Sequence, residues 1–258
     1  MKDRKEIKDI GSGGLADLSV GEFLGRLGSG DPTPGGGAAA SLSAAMGAAL
    51  LMMVANHTIG KSRYSEFEEL NIEIRDKAAE LLARFIEGID RDAVAFLKVS
   101  TAFGMPRSLS DIEMDKVSAK IAELSRNDAE LAAADMSEGL TEENMDLIDR
   151  ALKTARSAAI GEASIAAAEA PLAVMEDCVE ALKLAERQLG NSNPNLESDI
   201  MVAAHSLQAA LTSAGYNVDA NIPAIERREP QTSVRLMTRA AELRETAAAL
   251  TASITAAQ

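Results

Sequence analysis

GDPTPGGGAAASLSAAMGAALLMMVANHTIGKSRY, residues 30–64, decides the fold. Charged residues make up 26% of the chain, yet none occurs over 32–60. Such a run meets the length criterion for a membrane span. Its first half, however, is mainly Ala, Gly and Ser, which gain little on transfer to lipid, and it lacks flanking aromatics and basic clusters. A core helix fits better, because a helix uncharged all round is buried all round and small side chains let neighbouring backbones approach. Gly60 stops it. The same reading applies to residues 200–214. Two fully surrounded helices in 258 residues imply a thick bundle or burial against a second copy, so a homodimer is expected.

Composition sets the surroundings of that helix. Aromatics are 3% of the chain, tryptophan is absent and alanine dominates the apolar content, which favours helices over pleated strands. The expected fold is all-α, a single-domain helical bundle with long, kinked helices over residues 18–258. The net charge of -14 opposes binding to nucleic acid or anionic membranes. A lone cysteine, Cys178, rules out an internal disulfide, and two histidines leave no zinc cluster, so no metal is expected and the cytoplasm is the natural setting. Residues 1–17, mixed in charge and without a sustained apolar run, read as a mobile leader rather than a targeting signal.

The remaining elements follow from caps and periodicity. Ser19 with Glu22 opens a short helix as a capping box. Leu70, Ile74, Ala78, Leu82, Phe85, Ile89, Phe96 and Leu97 recur at helical spacing over 65–103. Residues 107–150 carry twelve acids against five bases and read as an added acidic helical hairpin. A long helix over 152–189 contains Pro171 and should kink there. A helix over 199–214, capped by Ser198, is expected to break at GYNVDANIP, and a last amphipathic helix spans 232–253. Met46, Met52 and Met53 read as core filling, and His57 and His205 as core histidines.

Asp92 is the most informative single residue. At about 100° per residue it lies roughly 60° from Ile89, within an arc that also holds Phe85, Phe96 and Val99. A carboxylate on a core face is paired, protonated or turned to a cavity, and burial raises its pKa toward the range useful in proton transfer. A structural salt bridge is the alternative. PTPGGG before a helix suits a ligand's carboxylate, carbonyl or phosphate, through Pro34, Gly35, Gly36, Gly37 and the unpaired first-turn amides. As a bare motif it reads first as a tight turn. It is neither a Walker loop, having no Gly-Lys-Ser/Thr, nor a dinucleotide fingerprint, having no preceding strand. Asn56, Thr58, Lys61, Arg63 and Tyr64 follow the uncharged helix, while Asn191, Ser198, Asp199, Asn217 and Asn221 bracket the second. If both helices are central, these ends line one pocket.

Taken in order, these motifs resemble a known family. F-x-x-x-L-x-S-x-x-P-T-P-G-G-G at 23–37, G-K-x-x-Y at 60–64, IDRDAVAF at 89–96, APL at 170–172, GN with SDIMVAA, and GYNVDAN at 215–221 are similar to the cyclodeaminase domain of formiminotransferase-cyclodeaminase and related methenyltetrahydrofolate cyclohydrolases. The resemblance implies an all-α homodimer acting on tetrahydrofolate-borne one-carbon units, without a tightly bound cofactor, with Asp92 as catalytic acid/base. The implied reaction is cyclisation of 5-formiminotetrahydrofolate to 5,10-methenyltetrahydrofolate with loss of ammonia. Its alternative is hydrolysis of the methenyl compound to 10-formyltetrahydrofolate, and a non-catalytic helical scaffold is a further alternative. The glycine loop and the Asn, Ser and Asp residues would hold the pterin, with Lys61 or Arg63 on the glutamate tail. The chain departs from the family in the length of 107–170 and in reading Met105-Pro106-Arg107 where Leu-Pro-Lys is usual.

Overall fold

A computed structural model describes residues 13–135, 137 and 139–256; residues 1–12 of the expected leader lie outside them. The helices are α1 (Val20–Leu27), α2 (Gly36–Thr58), α3 (Glu68–Phe103), α4 (Val117–Leu124), α5 (Ala129–Ala133), α6 (Glu142–Gln188), α7 (Glu197–Glu226) and α8 (Pro230–Thr255). There is no strand among the described residues. At the start of α1 the capping box forms as expected: Ser19 N–H donates to Glu22 Oε2 at 2.9 Å, and Glu22 N–H to Ser19 Oγ at 3.3 Å.

α6 runs down the middle and touches α2, α3, α7 and α8, while α2 packs between α3 and α7. Three antiparallel neighbours follow from residue pairs. Gly37 and Ser41 of α2 meet Asp92 and Gly88 of α3, Gly36 and Gly47 meet Asn217 and Leu207 of α7, and Glu73 and Arg84 of α3 pair with Arg187 and Asp177 of α6. The core joins Ala44, Ala48, Leu51 and Val54 of α2 to Phe85, Met175, Leu182, Leu207 and Leu211. Small residues on α2 make this close approach possible. Both α2 and α6 are long and apolar enough to cross a membrane, but 56% and 50% of their apolar windows are buried inside the bundle.

Several expectations need correction. Residues 13–17 of the expected leader are anchored: Leu15 is buried with Phe23, Ala38, Ile89 and Ala93, and its N–H donates to Asp90 Oδ1 at 2.6 Å. The acidic region is no simple hairpin. It comprises two 3-10 turns, α4, α5 and the start of α6, which gather Leu124, Leu131, Leu147, Ile148 and Leu152 into a separate small core. α6 therefore begins ten residues before the expected 152, and Asp149 fixes the region by accepting Leu109 N–H at 2.6 Å. α7 runs unbroken through GYNVDANIP to Glu226, because Ala214, Val218, Ile222 and Ile225 keep an apolar stripe in the core, outweighing the turn propensities of Gly215, Asn217 and Asn221. Ser198 lies within the first turn of α7 and is not its cap. Met46, His57 and His205 are exposed rather than core.

Candidate active site

The site forms where α2 begins. The chain turns through a cis Thr33–Pro34 bond, with Pro34 buried, Gly35 as the N-cap and Gly36 exposed. Ala38 N–H, one of the first-turn amides without a helical partner, donates to Asp92 Oδ2 at 3.1 Å. The approach is close because residue 37 has no side chain: a Cβ there would lie 2.0 Å from Asp92 Oδ1. One turn deeper the pairing is reversed, with Ser41 of α2 against Gly88 of α3.

Behind Asp92 lies a crevice of about 10 Å³, lined by Gly37, Ser41, Gly88, Asp92, Pro171 and Ala214 among others. Asp92 is its only ionisable side chain. Burial raises the Asp92 carboxyl above the usual carboxylate range, partly opposed by the Ala38 amide, which favours the ionised form. A half-buried carboxyl of raised proton affinity, held by an amide at a helix start, is equipped to give and take a proton.

α7 completes the rim. Asn217 sits 3.8 Å from where a Cβ of Gly36 would be, and its side-chain amide donates to Ser213 O at 3.0 Å. Asn221 has a different task. Pro171 has no N–H, so the Ala167 carbonyl lacks its helical donor, and Asn221 Nδ2 supplies one at 3.3 Å while also donating to Asn217 O at 2.9 Å. The GYNVDAN and APL motifs are thus parts of one joint.

The other expected site residues gather elsewhere. α2 is 23 residues long, so its two ends lie about 33 Å apart, and Thr58, Lys61, Arg63 and Tyr64 are at the far one. There Thr58 Oγ1 accepts Asn193 N–H at 3.0 Å, Tyr64 donates to Asn193 Oδ1 at 2.7 Å, and Asn191 donates to Arg187 O at 3.0 Å. Arg63 lies over the Tyr64 ring at 4.6 Å. Asn56 and Lys61 are exposed, and Ser198 and Asp199, at the start of antiparallel α7, belong to the same end. Within one chain the two sets do not line a common pocket, which corrects that expectation. Thr58, Tyr64 and Asn191 instead tie the loop at 190–196 to α2 and α6.

Two residues escaped the sequence reading. Ser41 is buried beside Asp92 but was hidden in a small-residue run. Phe96, assigned to the core arc, is 44% exposed one turn beyond Asp92. α3 runs on past the point where α2 begins, so the face that covers α2 loses its cover there. Cys178 is fully buried and burial pushes its thiol up, which leaves it no nucleophile.

Fold and site together define an all-α helical bundle with a half-buried carboxyl held at a helix start. The chain belongs to the formiminotransferase-cyclodeaminase family, whose profile matches residues 19–151 and 110–240. It is 36% identical over 81% of its length to the methenyltetrahydrofolate cyclohydrolase of Methylorubrum extorquens, covering 82% of that protein. It is 38% identical to the formimidoyltransferase-cyclodeaminase of Dictyostelium discoideum over 40% of the chain and 19% of that protein. The crystal structure of formiminotetrahydrofolate cyclodeaminase from Thermotoga maritima superposes with a TM-score of 0.70 at 21% identity, covering 94% of this chain and 96% of that one. The chain is therefore a folate one-carbon enzyme of the cyclodeaminase/cyclohydrolase kind.

Proposed function

We propose that the protein is a methenyltetrahydrofolate cyclohydrolase, converting 5,10-methenyltetrahydrofolate to 10-formyltetrahydrofolate. The carrying observation is Asp92, a carboxyl of raised proton affinity at the amide end of α2. Its carboxylate takes a proton as water adds to the bridging carbon, then returns it to N5 as the C–N5 bond breaks, while the remaining hydroxyl proton passes to solvent as the formyl C=O forms. Phe96 offers a ring face for the pterin and Asn217 a polar group beside the glycine loop. Folate is the substrate, and no tightly bound cofactor enters these steps.

Hydrolysis is favoured over deamination because the relative of that name aligns with 81% of the chain. The second reading is cyclodeamination, supported by the name of the Dictyostelium relative. There the same carboxyl takes the N10 proton and protonates departing ammonia. An assay near the methenyl absorption band separates the two: enzyme-dependent loss of absorbance from the methenyl compound means hydrolysis, and gain from 5-formiminotetrahydrofolate means deamination. No enzyme-dependent change in absorbance with either folate overturns both readings.

The enzyme acts as a soluble, cytoplasmic homodimer. The outward faces of α2 and α7 lie side by side and expose Met46, Ala49, Val202, His205, Ala209 and Tyr216, with no charged residue from 36 to 58 or from 200 to 218. In a chain of net charge -14 this face suits a second copy. A two-fold axis near Met46 sets antiparallel copies of α2 together. The Lys61–Tyr64 end of one chain then approaches the glycine loop of the other, where its positive charge suits the glutamate tail.

A further inference from the structure

We propose that Ser41 is a positioning residue for Asp92, acting through one water that both side chains hold in the crevice between α2, α3, α6 and α7. This inference rests on the reading of Asp92 as the acid/base group. Ser41 is 1% exposed, and its hydroxyl has no hydrogen-bond partner among the described residues. It does not turn back to its own helix, as Thr58 does in donating to Val54 O at 2.8 Å. Unlike the enclosed, unpaired oxygens of Ser164, Ser192 and Gln188, the Ser41 hydroxyl opens on the crevice, where a partner from outside the chain can reach it.

The crevice supplies the place. Its volume of about 10 Å³ accommodates one water. Of its lining side chains only those of Ser41 and Asp92 are able to hydrogen-bond; Ala170, Pro171, Val174 and Ala214 are apolar and residues 37 and 88 are glycines. A Cβ at Gly88 would lie 2.9 Å from Ser41 Oγ, so glycine there keeps room for the hydroxyl. The water accepts from or donates to Ser41 and donates to the Asp92 carboxylate, fixing its orientation and favouring its ionised form.

The charged side chains closest along the chain to the lining positions of α3, α6 and α7 are committed elsewhere. On α3, Asp90 accepts from Leu15 N–H and Arg91 pairs with Glu87. On α6, Glu169 pairs with Arg235, Glu176 with Arg239, and Asp177 with Arg84, while Asp219 of α7 pairs with Arg244. α2 carries no Asp, Glu, Lys or Arg, and its one histidine, His57, stands at the opposite end from Asp92. The pH limb of turnover therefore reports Asp92.

The test compares Ser41→Ala and Asp92→Asn in the full chain, by kcat against pH with the folate that the absorbance assay identifies, and by thermal unfolding. The expected result for S41A is a kcat about tenfold lower, a limb moved up by about half a pH unit, and an unchanged or higher Tm. Wild-type kcat and limb in S41A overturn the inference. So does a fall in kcat and Tm with the limb unmoved, which marks a purely structural serine. In both cases an inactive D92N leaves the Asp92 reading standing, whereas wild-type turnover in D92N removes both.

Discussion

Gly37 and Asp92 meet with no space between them: a Cβ at 37 would lie 2.0 Å from Asp92 Oδ1 and 2.5 Å from Cγ. Gly37→Ala therefore forces the carboxyl off the Ala38 amide or pushes α2 from α3. The expected loss in kcat/KM is about 100-fold, with a stability cost of about 1–3 kcal/mol. Steady-state kinetics and thermal unfolding check both. Wild-type activity in G37A would mean that the held geometry of Asp92 is not what turnover needs.

Asp92 also imposes a sign on stability. Burial raises its folded-state pKa above the unfolded value, so the folded protein binds more protons between the two. Its contribution is complete below the unfolded pKa and is lost as pH rises through the folded one. Asp92→Asn removes that loss. D92N should melt above wild type near neutral pH, the gap closing below the ordinary carboxylate value of 3.8, while kcat falls about 10²- to 10⁴-fold. Tm measured across pH tests this, and a gap that widens on acidification refutes it.

How much of this was legible in the sequence depends on the range of the forces involved. The uncharged run at 32–60, the Ser19 capping box and the place of Asp92 are local patterns, and they could be read directly. GYNVDANIP could not, since its turn residues sit on a stripe of Ala214, Val218 and Ile222 whose burial is a tertiary event. The distance of Lys61 from the glycine loop within a single chain follows from the length of α2, which motif order alone does not show. Phe96 was misplaced because periodicity does not show where a neighbouring helix begins.

The joint between α6 and α7 predicts non-additivity. Asn221→Ala leaves the Ala167 carbonyl without its side-chain donor, a loss of about 1–3 kcal/mol. Pro171→Ala restores an N–H four residues along. The double variant N221A/P171A should therefore lose less stability than the two single changes together, and a denaturant double-mutant cycle measures the difference. Strict additivity would show that Asn221 does not serve that carbonyl.

Phe96 separates binding from chemistry. It lies one turn beyond Asp92 with an exposed ring and touches no proton in the proposed steps. Phe96→Ala should raise KM about tenfold with kcat nearly unchanged. A fall in kcat at constant KM would move Phe96 from pterin binding into the chemistry.

The uncharged face of α2 and α7 predicts assembly and ties it to activity. Wild type should sediment at twice the 27.1 kDa chain mass, and Met46→Glu with Val202→Glu, which buries like charges at the two-fold axis, should yield monomers. Both changes lie more than a helical turn from Asp92, so a folded monomer keeps the acid/base group. If Lys61 and Arg63 of one chain reach the glycine loop of the other, the monomer should lose affinity for the glutamate-bearing substrate. Lys61→Ala with Arg63→Ala should reproduce that loss in the dimer, as a KM raised about tenfold with little change in kcat. Sedimentation and kinetics on the two variants decide it: a monomer with wild-type KM places the whole site within one chain.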